Sequence, residues 1–161
     1  MAARRSASLV AGRRNIWHAL DVREQYWTGA HTTHRLIYHL VWIPKYRKRI
    51  LLGKVAIRLK ELLWEAATMN RWWVHEIAVQ RDHVHMMVQL RPDVSVAYAV
   101  QIFKGGTSFK IRREFPELEE FQWGDSFWAD GYFAESVGLA KEEAVRRYIR
   151  NQSHGQSMPR D

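Results

Sequence analysis

The stretch WWVHEIAVQRDHVHMMVQL, from Trp72 to Leu90, decides the fold. It contains two largely apolar runs, Trp72 to Val79 and His83 to Leu90, each long enough for one β-strand. The polar residues Gln80 to Asp82 separate them, and so short a polar break is typical of a tight turn. The sequence therefore predicts an antiparallel hairpin at this point of the chain.

The second strand of this hairpin carries two histidines, His83 and His85. Because side chains alternate faces along a strand, both imidazoles point to one face, while Val84, Met86 and Val88 point to the other, into the core. Two neutral imidazoles one strand step apart can share a divalent ion. A His-x-His pair taken alone is more often a pair of ordinary sheet histidines, so the residues leave both interpretations open.

The sequence on both sides of the hairpin predicts further strands and helices. The pattern predicts strands at Thr33 to Ile43 and around Tyr132 and Phe133, and helices at Lys54 to Met69, Val94 to Arg113 and Leu139 to Gln152. The order β-α-β-β-α-β-α predicts an α+β fold of the ferredoxin-like or RRM-like plan. In this plan a four-stranded antiparallel sheet has helices on one face, here followed by a C-terminal helix. Gly105 and Gly106 are expected to weaken the second helix.

The chain as a whole suits one domain with short appendages. We expect residues 1–30 to be a partly flexible N-terminal extension, residues 31–152 to be the folded domain and residues 153–161 to be a flexible tail. No apolar run approaches the ~20 residues of a membrane span, and the start lacks the apolar region of a secretory signal. We therefore expect a cytoplasmic protein with no membrane partner.

The composition narrows the class of protein further. There are no cysteines, which excludes disulfides, thiolate metal sites and cysteine nucleophiles. Hydrophobic residues make up 47% of the chain, enough for a packed core. The formal net charge of +8 favours a polyanionic partner, and nucleic acid is the first candidate.

The C-terminal helix holds a second group of candidate residues. Tyr148 and Gln152 are four residues apart, so both side chains lie on one face of the helix. A tyrosine phenol can attack phosphorus, and an amide oxygen can bind a hard cation. Tyr148 also falls on the apolar spacing of Val145 and Ile149, so a core position fits it at least as well.

Basic residues occur in three groups that could hold phosphates. The candidates for DNA contact are Lys45, Arg47, Lys48, Arg49, Lys104, Lys110, Arg112 and Arg147. Each group would fit a solvated surface equally well. Trp72, Trp73 and Tyr46 are candidates for base stacking, although burial in the core is the more common role of such side chains.

Five segments occur in an order that resembles the single-tyrosine HUH transposases of small insertion sequences, with the REP-associated tyrosine transposases as close relatives. They are YHLVWIPKYRKRIL (Tyr38 to Leu51), RDHVHMMV (Arg81 to Val88), KGGTSFKIRREFPEL (Lys104 to Leu118), FWADGYFAESVG (Phe127 to Gly138) and YIRNQ (Tyr148 to Gln152). His-hydrophobic-His and Tyr-x-x-x-Gln are the signatures of that family. The five segments together, spanning roughly residues 31 to 152, are far more specific than either signature alone.

The resemblance implies a DNA transposase in which His83, His85 and Gln152 hold Mg2+ or Mn2+ and Tyr148 is the nucleophile. Asp82, beside the histidines, is expected to orient an imidazole by hydrogen bonding. The implied reaction is attack on a phosphate of single-stranded DNA, which gives a 5′-phosphotyrosine and a free 3′-OH, followed by strand transfer.

The resemblance also implies partners. These are single-stranded DNA with hairpin ends and a second copy of the chain, so that Tyr148 of one subunit meets the histidines of the other. Tyr132 is the rival to Tyr148 and is expected to be structural.

Three alternatives stay open. They are a domesticated nuclease that processes repetitive extragenic palindromes, an inactive transposase that acts as a DNA-binding regulator, and a non-enzymatic RNA- or DNA-binding module of the same fold. The binding module predicts exposed aromatic side chains on the sheet in place of a histidine pair facing a helix.

Overall fold

The structure is a computed structural model that describes residues 26–121 and 126–154. The chain divides into two units, residues 1–35 and 36–161. In the first unit, β1 (Trp27–Thr28) pairs antiparallel with β2 (Thr33–His34). The Gly29 N–H closes the turn between them by donating to the Thr32 carbonyl at 2.7 Å.

This small hairpin corrects the predicted start of the first sheet strand. Thr33 and His34 pair with β1, so the strand of the main sheet begins only at Leu36. The β-rich run from Thr33 contained no breaker to mark the boundary between the two pairings. Of the expected extension 1–30, residues 1–25 lie outside the described residues.

The second unit has the predicted order of elements. They are β3 (Leu36–Trp42), α1 (Gly53–Met69), β4 (Trp73–Gln80), β5 (His83–Leu90), α2 (Val96–Glu114), β6 (Phe133–Ser136) and α3 (Leu139–His154). Short 3-10 helices occur at Lys45–Arg47 and Pro116–Phe121. The strand order is β4-β5-β3-β6 with every neighbouring pair antiparallel, which confirms the ferredoxin-like sheet.

The two faces of this sheet bury different residues. The face that packs against α1 and α2 carries the residues predicted for the core, Val84, Met86 and Val88, all fully buried. On the other face, Met87 packs with Ile149 of α3. Since His83 and His85 alternate with the core residues of β5, they lie on the face that α3 covers.

The helix α2 runs unbroken through Gly105 and Gly106, so the expected weakening does not interrupt it. A Cβ atom built on either glycine would meet nothing within 4 Å. Ser95, which precedes the helix, is its N-cap: the Ser95 hydroxyl accepts a hydrogen bond from the Tyr98 N–H at 3.1 Å. No helix among the described residues is long and apolar enough to cross a membrane.

The aromatic residues near β4 divide between core and surface. Trp72 is buried with its ring centroid 5.3 Å from that of Phe103, which confirms its core role. Trp73 and Tyr46 are exposed. A role in base stacking stays a prediction for these two residues alone.

Candidate active site

His83 opens β5 and is held by the carboxylate of the preceding residue. Its Nδ1 lies 2.6 Å from Oδ1 of Asp82, and Arg47 donates from Nε to the other oxygen, Oδ2, at 3.0 Å. Burial raises the pKa of Asp82, but the hydrogen bonds and charges of His83 and Arg47 outweigh it and leave that pKa below its ordinary value. An ionised carboxylate can only accept a hydrogen bond, so His83 donates from Nδ1 and its Nε2 atom points away from Asp82.

Arg47 reaches Asp82 from a turn with a strained backbone. Tyr46 and Arg47 both adopt left-handed conformations, with φ of 61° and 52°. Such conformations cost roughly 1–3 kcal/mol each for residues other than glycine and persist where surrounding contacts enforce them. Beside them, the Lys45 N–H donates to the Phe127 carbonyl at 2.9 Å. The strain lies directly beside the histidine pair.

His85 is 5% exposed and pairs with His39 of β3, a residue that the sequence analysis did not single out. Nδ1 of His85 lies 3.1 Å from Nε2 of His39, and the two ring planes are within 15° of parallel. Burial, with smaller contributions from His83 and His39, lowers the pKa of His85 to about 4. Burial also lowers the pKa of His39, against the opposing charge of Glu135. Both rings are therefore neutral at neutral pH.

Tyr148 of α3 lies against this pair of rings. Its ring centroid is 5.4 Å from that of His85, edge-on at 85°, and 6.3 Å from that of His39. Tyr148 is 49% exposed while the adjacent Ile149 is fully buried, so Ile149 holds the core position that the helical spacing also allowed for Tyr148. The phenol ring is thus both beside the imidazoles and open to solvent.

Polar contacts attach the C-terminal half of α3 to β4. They are Arg146 Nη2 to His75 Nδ1 at 2.7 Å, Arg150 Nε to Glu76 Oε1 at 2.7 Å, and the Gln80 side-chain amide to the backbone carbonyl of Gln152. These contacts could not be predicted from local sequence patterns, because each joins residues more than 70 positions apart. They hold the turn between Tyr148 and Gln152 close to the strand that pairs with β5.

The donor set at this place suits a divalent cation. Hydrogen bonds occupy the Nδ1 atoms of His83 and His85, so Nε2 is the nitrogen that each ring has left for a cation, as is common among metal-binding histidines. No cluster of three or more His, Cys, Asp or Glu side chains able to hold a metal occurs in residues 26–121 and 126–154. The third ligand implied by the resemblance, the half-buried Gln152, is an amide and lies outside that set of residue types.

The basic candidates do not gather into one patch. Arg47 bonds Asp82, the Lys110 ammonium lies 3.5 Å from a Glu65 oxygen, and the Lys104 ammonium donates to backbone carbonyls of the loop before β6. Lys104 and Lys110 belong to α2, which packs on the sheet face opposite the histidines. For the remainder, Arg49 and Arg147 are exposed, Arg112 is half-buried, and the Lys45 and Lys48 ammonium groups lie 5.5 and 5.9 Å from the Tyr46 ring centroid. Their contacts with DNA stay predictions.

The rival tyrosine, Tyr132, lies elsewhere. It is 42% exposed and lines a cavity of about 480 Å3 between α2 and the loop before β6, together with Gln101, Lys104 and Ser108. The structure therefore brings Tyr148 to the histidine pair and places Tyr132 beside α2.

Fold and site together define a class of protein: a basic, ferredoxin-like domain whose sheet presents an imidazole pair to a tyrosine on a C-terminal helix. Residues 32–152 match the model of the family described as "Transposase IS200 like", and the chain belongs to this family. It is thus a transposase, an enzyme that cleaves and rejoins DNA. The resemblance drawn from the five sequence segments is confirmed.

Individual relatives agree with this assignment. The chain is 32% identical to the ISDra2 transposase TnpA of Deinococcus radiodurans over 124 residues, 77% of this chain and 89% of the relative. It is 28% identical to the transposase for insertion sequence element IS200 of Salmonella typhimurium over 123 residues, 76% of this chain and 80% of the relative. These relatives are enzymes, which counts against the non-enzymatic binding module.

Two solved structures share the fold. A crystal structure of a Deinococcus radiodurans protein assigned as a transposase matches with a TM-score of 0.66 and 30% identity, covering 78% of this chain and 97% of that one. The structure of a REP-associated tyrosine transposase bound to a REP hairpin matches with a TM-score of 0.59, covering 84% of this chain and 73% of that one. At 12% identity, the second likeness concerns the fold alone.

Proposed function

We propose that the chain cuts and rejoins single-stranded DNA with Tyr148 as nucleophile. The observation that carries the proposal is the position of the Tyr148 ring, edge-on to the buried His85 and half exposed to solvent, in a member of a transposase family. The phenol oxygen attacks phosphorus, the bond from phosphorus to the 3′ oxygen breaks, and that oxygen takes up a proton. The products are a 5′-phosphotyrosine and a free 3′-OH.

Rejoining follows from the covalent linkage. The phosphotyrosine retains the energy of the broken phosphodiester, so a second 3′-OH can displace the phenol and restore a DNA strand without a nucleotide cofactor. During both steps α3 must keep the phenol next to the histidines. The contacts of Arg146 and Arg150 with β4 supply this rigidity.

His83, His85 and Gln152 would hold Mg2+ or Mn2+. A divalent ion bound there would supply Lewis-acid activation of the phosphate and a template for its orientation. The chain supplies the rest: Asp82 fixes the ring of His83, burial keeps His85 neutral, and the helix sets Gln152 one turn beyond Tyr148.

The proposed substrate is single-stranded DNA with hairpin ends. The net charge of +8 suits a polyanion, and the REP-associated relative of the same fold is bound to a REP hairpin. We keep Lys45, Lys48, Arg49 and Arg147 as candidates for phosphate contact. These residues lie on the turn after β3 and on α3, the two elements that border the histidines.

The resemblance implies a homodimer with composite active sites, whereas one chain here already unites tyrosine and histidines. We propose that Tyr148 attacks within its own chain, because three polar contacts fasten α3 to β4 of that chain. Dimerisation would then serve to hold two DNA ends together.

Incubation with labelled single-stranded element ends and Mg2+, followed by a denaturing gel, tests the nucleophile. A protein–DNA adduct is expected for the wild type and for Tyr132→Phe, and none for Tyr148→Phe, which should still bind DNA. His83→Ala should lose divalent-dependent cleavage. An adduct formed by Tyr148→Phe would move the nucleophile to another residue, and unchanged cleavage by His83→Ala would remove the metal site.

The same assay distinguishes the two arrangements of the active site. A mixture of Tyr148→Phe and His83→Ala chains can form a complete site only if tyrosine and histidines come from different subunits. We expect the mixture to stay inactive, and restored adduct formation would establish the composite site instead.

A further inference from the structure

The imidazole of His39 lies within the site and has no role in the function proposed above. We propose that His39 is a positioning residue: its Nε2 accepts the Nδ1 proton of His85 and so keeps the Nε2 lone pair of His85 available to a divalent cation. The inference rests on the proposed metal site, and it assigns to His85 the kind of support that Asp82 gives to His83.

The register of the sheet brings the two rings together. In the pairing of β3 with β5, His39 lies opposite Met87 and His85 lies opposite Val41. The two histidines are thus diagonal neighbours on one face, a separation that long side chains can bridge. The 3.1 Å separation of the two nitrogens is a hydrogen-bond distance, and the nearly parallel planes let the nitrogens face each other edge to edge.

Two neutral imidazoles that share one hydrogen bond can hold the proton in two ways. If Nδ1 of His85 donates, Nε2 of His85 has a lone pair and can bind a metal. If Nε2 of His39 donates, Nδ1 of His85 is the acceptor and its Nε2 carries the proton, which excludes metal binding there. Only the first arrangement is compatible with a ligand role for His85, so it requires His39 to act as the acceptor.

A purely structural role for His39 makes a different prediction. The residue is 8% exposed and its ring lies 5.8 Å from that of Phe133, so it contributes to packing in any case. If packing were its whole contribution, an apolar side chain of similar size would preserve cation binding. If the hydrogen bond matters, a side chain with an acceptor oxygen should preserve it better than an apolar one.

Titration of the full, metal-free chain with Mn2+ by calorimetry separates these roles. His39→Leu should weaken Mn2+ binding by about 10- to 100-fold, the range typical for loss of a hydrogen bond that orients a metal ligand. His39→Gln, whose amide oxygen can accept the same proton, should retain most of the affinity. The matched control is Ile37→Val, a buried position two residues away on the same strand and face.

The protonated nitrogen of His85 can be read directly by 15N NMR of the imidazole in the metal-free chain. We expect a proton on Nδ1 in the wild type and in His39→Gln, and a loss of this preference in His39→Leu. A wild-type His85 protonated on Nε2, or Mn2+ binding by His39→Leu as tight as by Ile37→Val, would overturn the inference. Should His39→Leu fail to fold, the wild type and His39→Gln still decide the question.

Failure of the proposed function has a different signature. Equal binding of Mn2+ by the wild type and His83→Ala would overturn the metal site itself. In that case the protonated nitrogen of His85, measured without any metal, would still decide whether His39 is its acceptor.

Discussion

Replacing Arg146 with methionine should loosen α3 from the sheet while keeping the aliphatic part of the side chain. Arg146 donates from Nε to Glu142 at 2.9 Å and from Nη2 to Nδ1 of His75 at 2.7 Å. The other nitrogen of His75 in turn bonds Oε1 of the fully buried Gln89 at 3.0 Å. The guanidinium thus connects the helix to β4 and β5 through a row of polar groups that are largely out of water.

The size of the effect follows from burial. A hydrogen bond to a charged group contributes about 1.5–3 kcal/mol, and removal of one partner from a fully buried ion pair costs about 3–5 kcal/mol. Glu142 is 8% exposed, but the side chain of Arg146 is 24% exposed, so solvent screens part of the interaction. We therefore expect Arg146→Met to lower the free energy of unfolding by about 2–3 kcal/mol. If α3 opens by itself, a change of about 2 kcal/mol makes opening roughly 30-fold more frequent.

Hydrogen exchange of α3, together with denaturant unfolding, measures both quantities. The control is Arg147→Met, which removes the same charge from the exposed neighbouring position. Adding Glu142→Gln to Arg146→Met should recover part of the loss, because a neutral amide tolerates the absence of the arginine better than a buried carboxylate. Equal exchange and equal stability of Arg146→Met and Arg147→Met would refute the claim that this network fastens the helix.

Two further changes test the middle of α2 and the protonation state of His85. Gly106→Ala should stabilise the chain by about 0.5–1 kcal/mol and raise Tm by about 1–4 °C, because it lies in an unbroken helix and its new Cβ meets nothing within 4 Å. An unchanged or lower Tm would contradict this. The second change is in pH. The pKa of His85 is about 4 in the folded chain against an ordinary 6.5, so as the pH falls from 6.5 towards 4 the unfolded chain takes up a proton that the folded chain does not. Stability is therefore lost over that range, and denaturant unfolding of the metal-free chain should show a loss from pH 7.5 to 5 about 2 kcal/mol larger than in His85→Asn. Equal losses in the two proteins would show that the buried ring is not held neutral.

The strand that decides the fold was predictable because its pattern is local. β5 has the predicted bounds, His83–Leu90, and the predicted division into a core face and a histidine face. The position of Tyr148 and Gln152 on the C-terminal helix, one turn apart, was also predictable from their spacing of four residues. Each of these inferences used residues within one element.

What the sequence did not reveal depends on which elements become neighbours. His39 was not among the predicted site residues, because its position beside His85 depends on β3 pairing with β5 in a particular register. Lys110 of α2 forms an ion pair with Glu65 of α1. A lysine that the sequence placed in a basic group for phosphate contact thus pairs with a carboxylate of another helix. The predicted strand start at Thr33 was wrong for a related reason. Thr33 and His34 pair with β1 and not with the main sheet, and local sequence does not show this pairing.

The different exposure of His85 and Tyr148 indicates what kind of substrate can reach the site. His85 is 5% exposed and Tyr148 is 49% exposed, although their rings are in contact distance. An enzyme for a small molecule would place both in a cavity, but the cavity of about 480 Å3 lies beside α2, on the far face of the sheet. A polymer cannot enter such a cavity, but it can lie along a surface where the proposed nucleophile, Tyr148, faces solvent and the imidazole of His85 beside it is buried. The half-exposed Tyr148 therefore has the accessibility that a strand of DNA requires, in keeping with the membership of the chain in a transposase family.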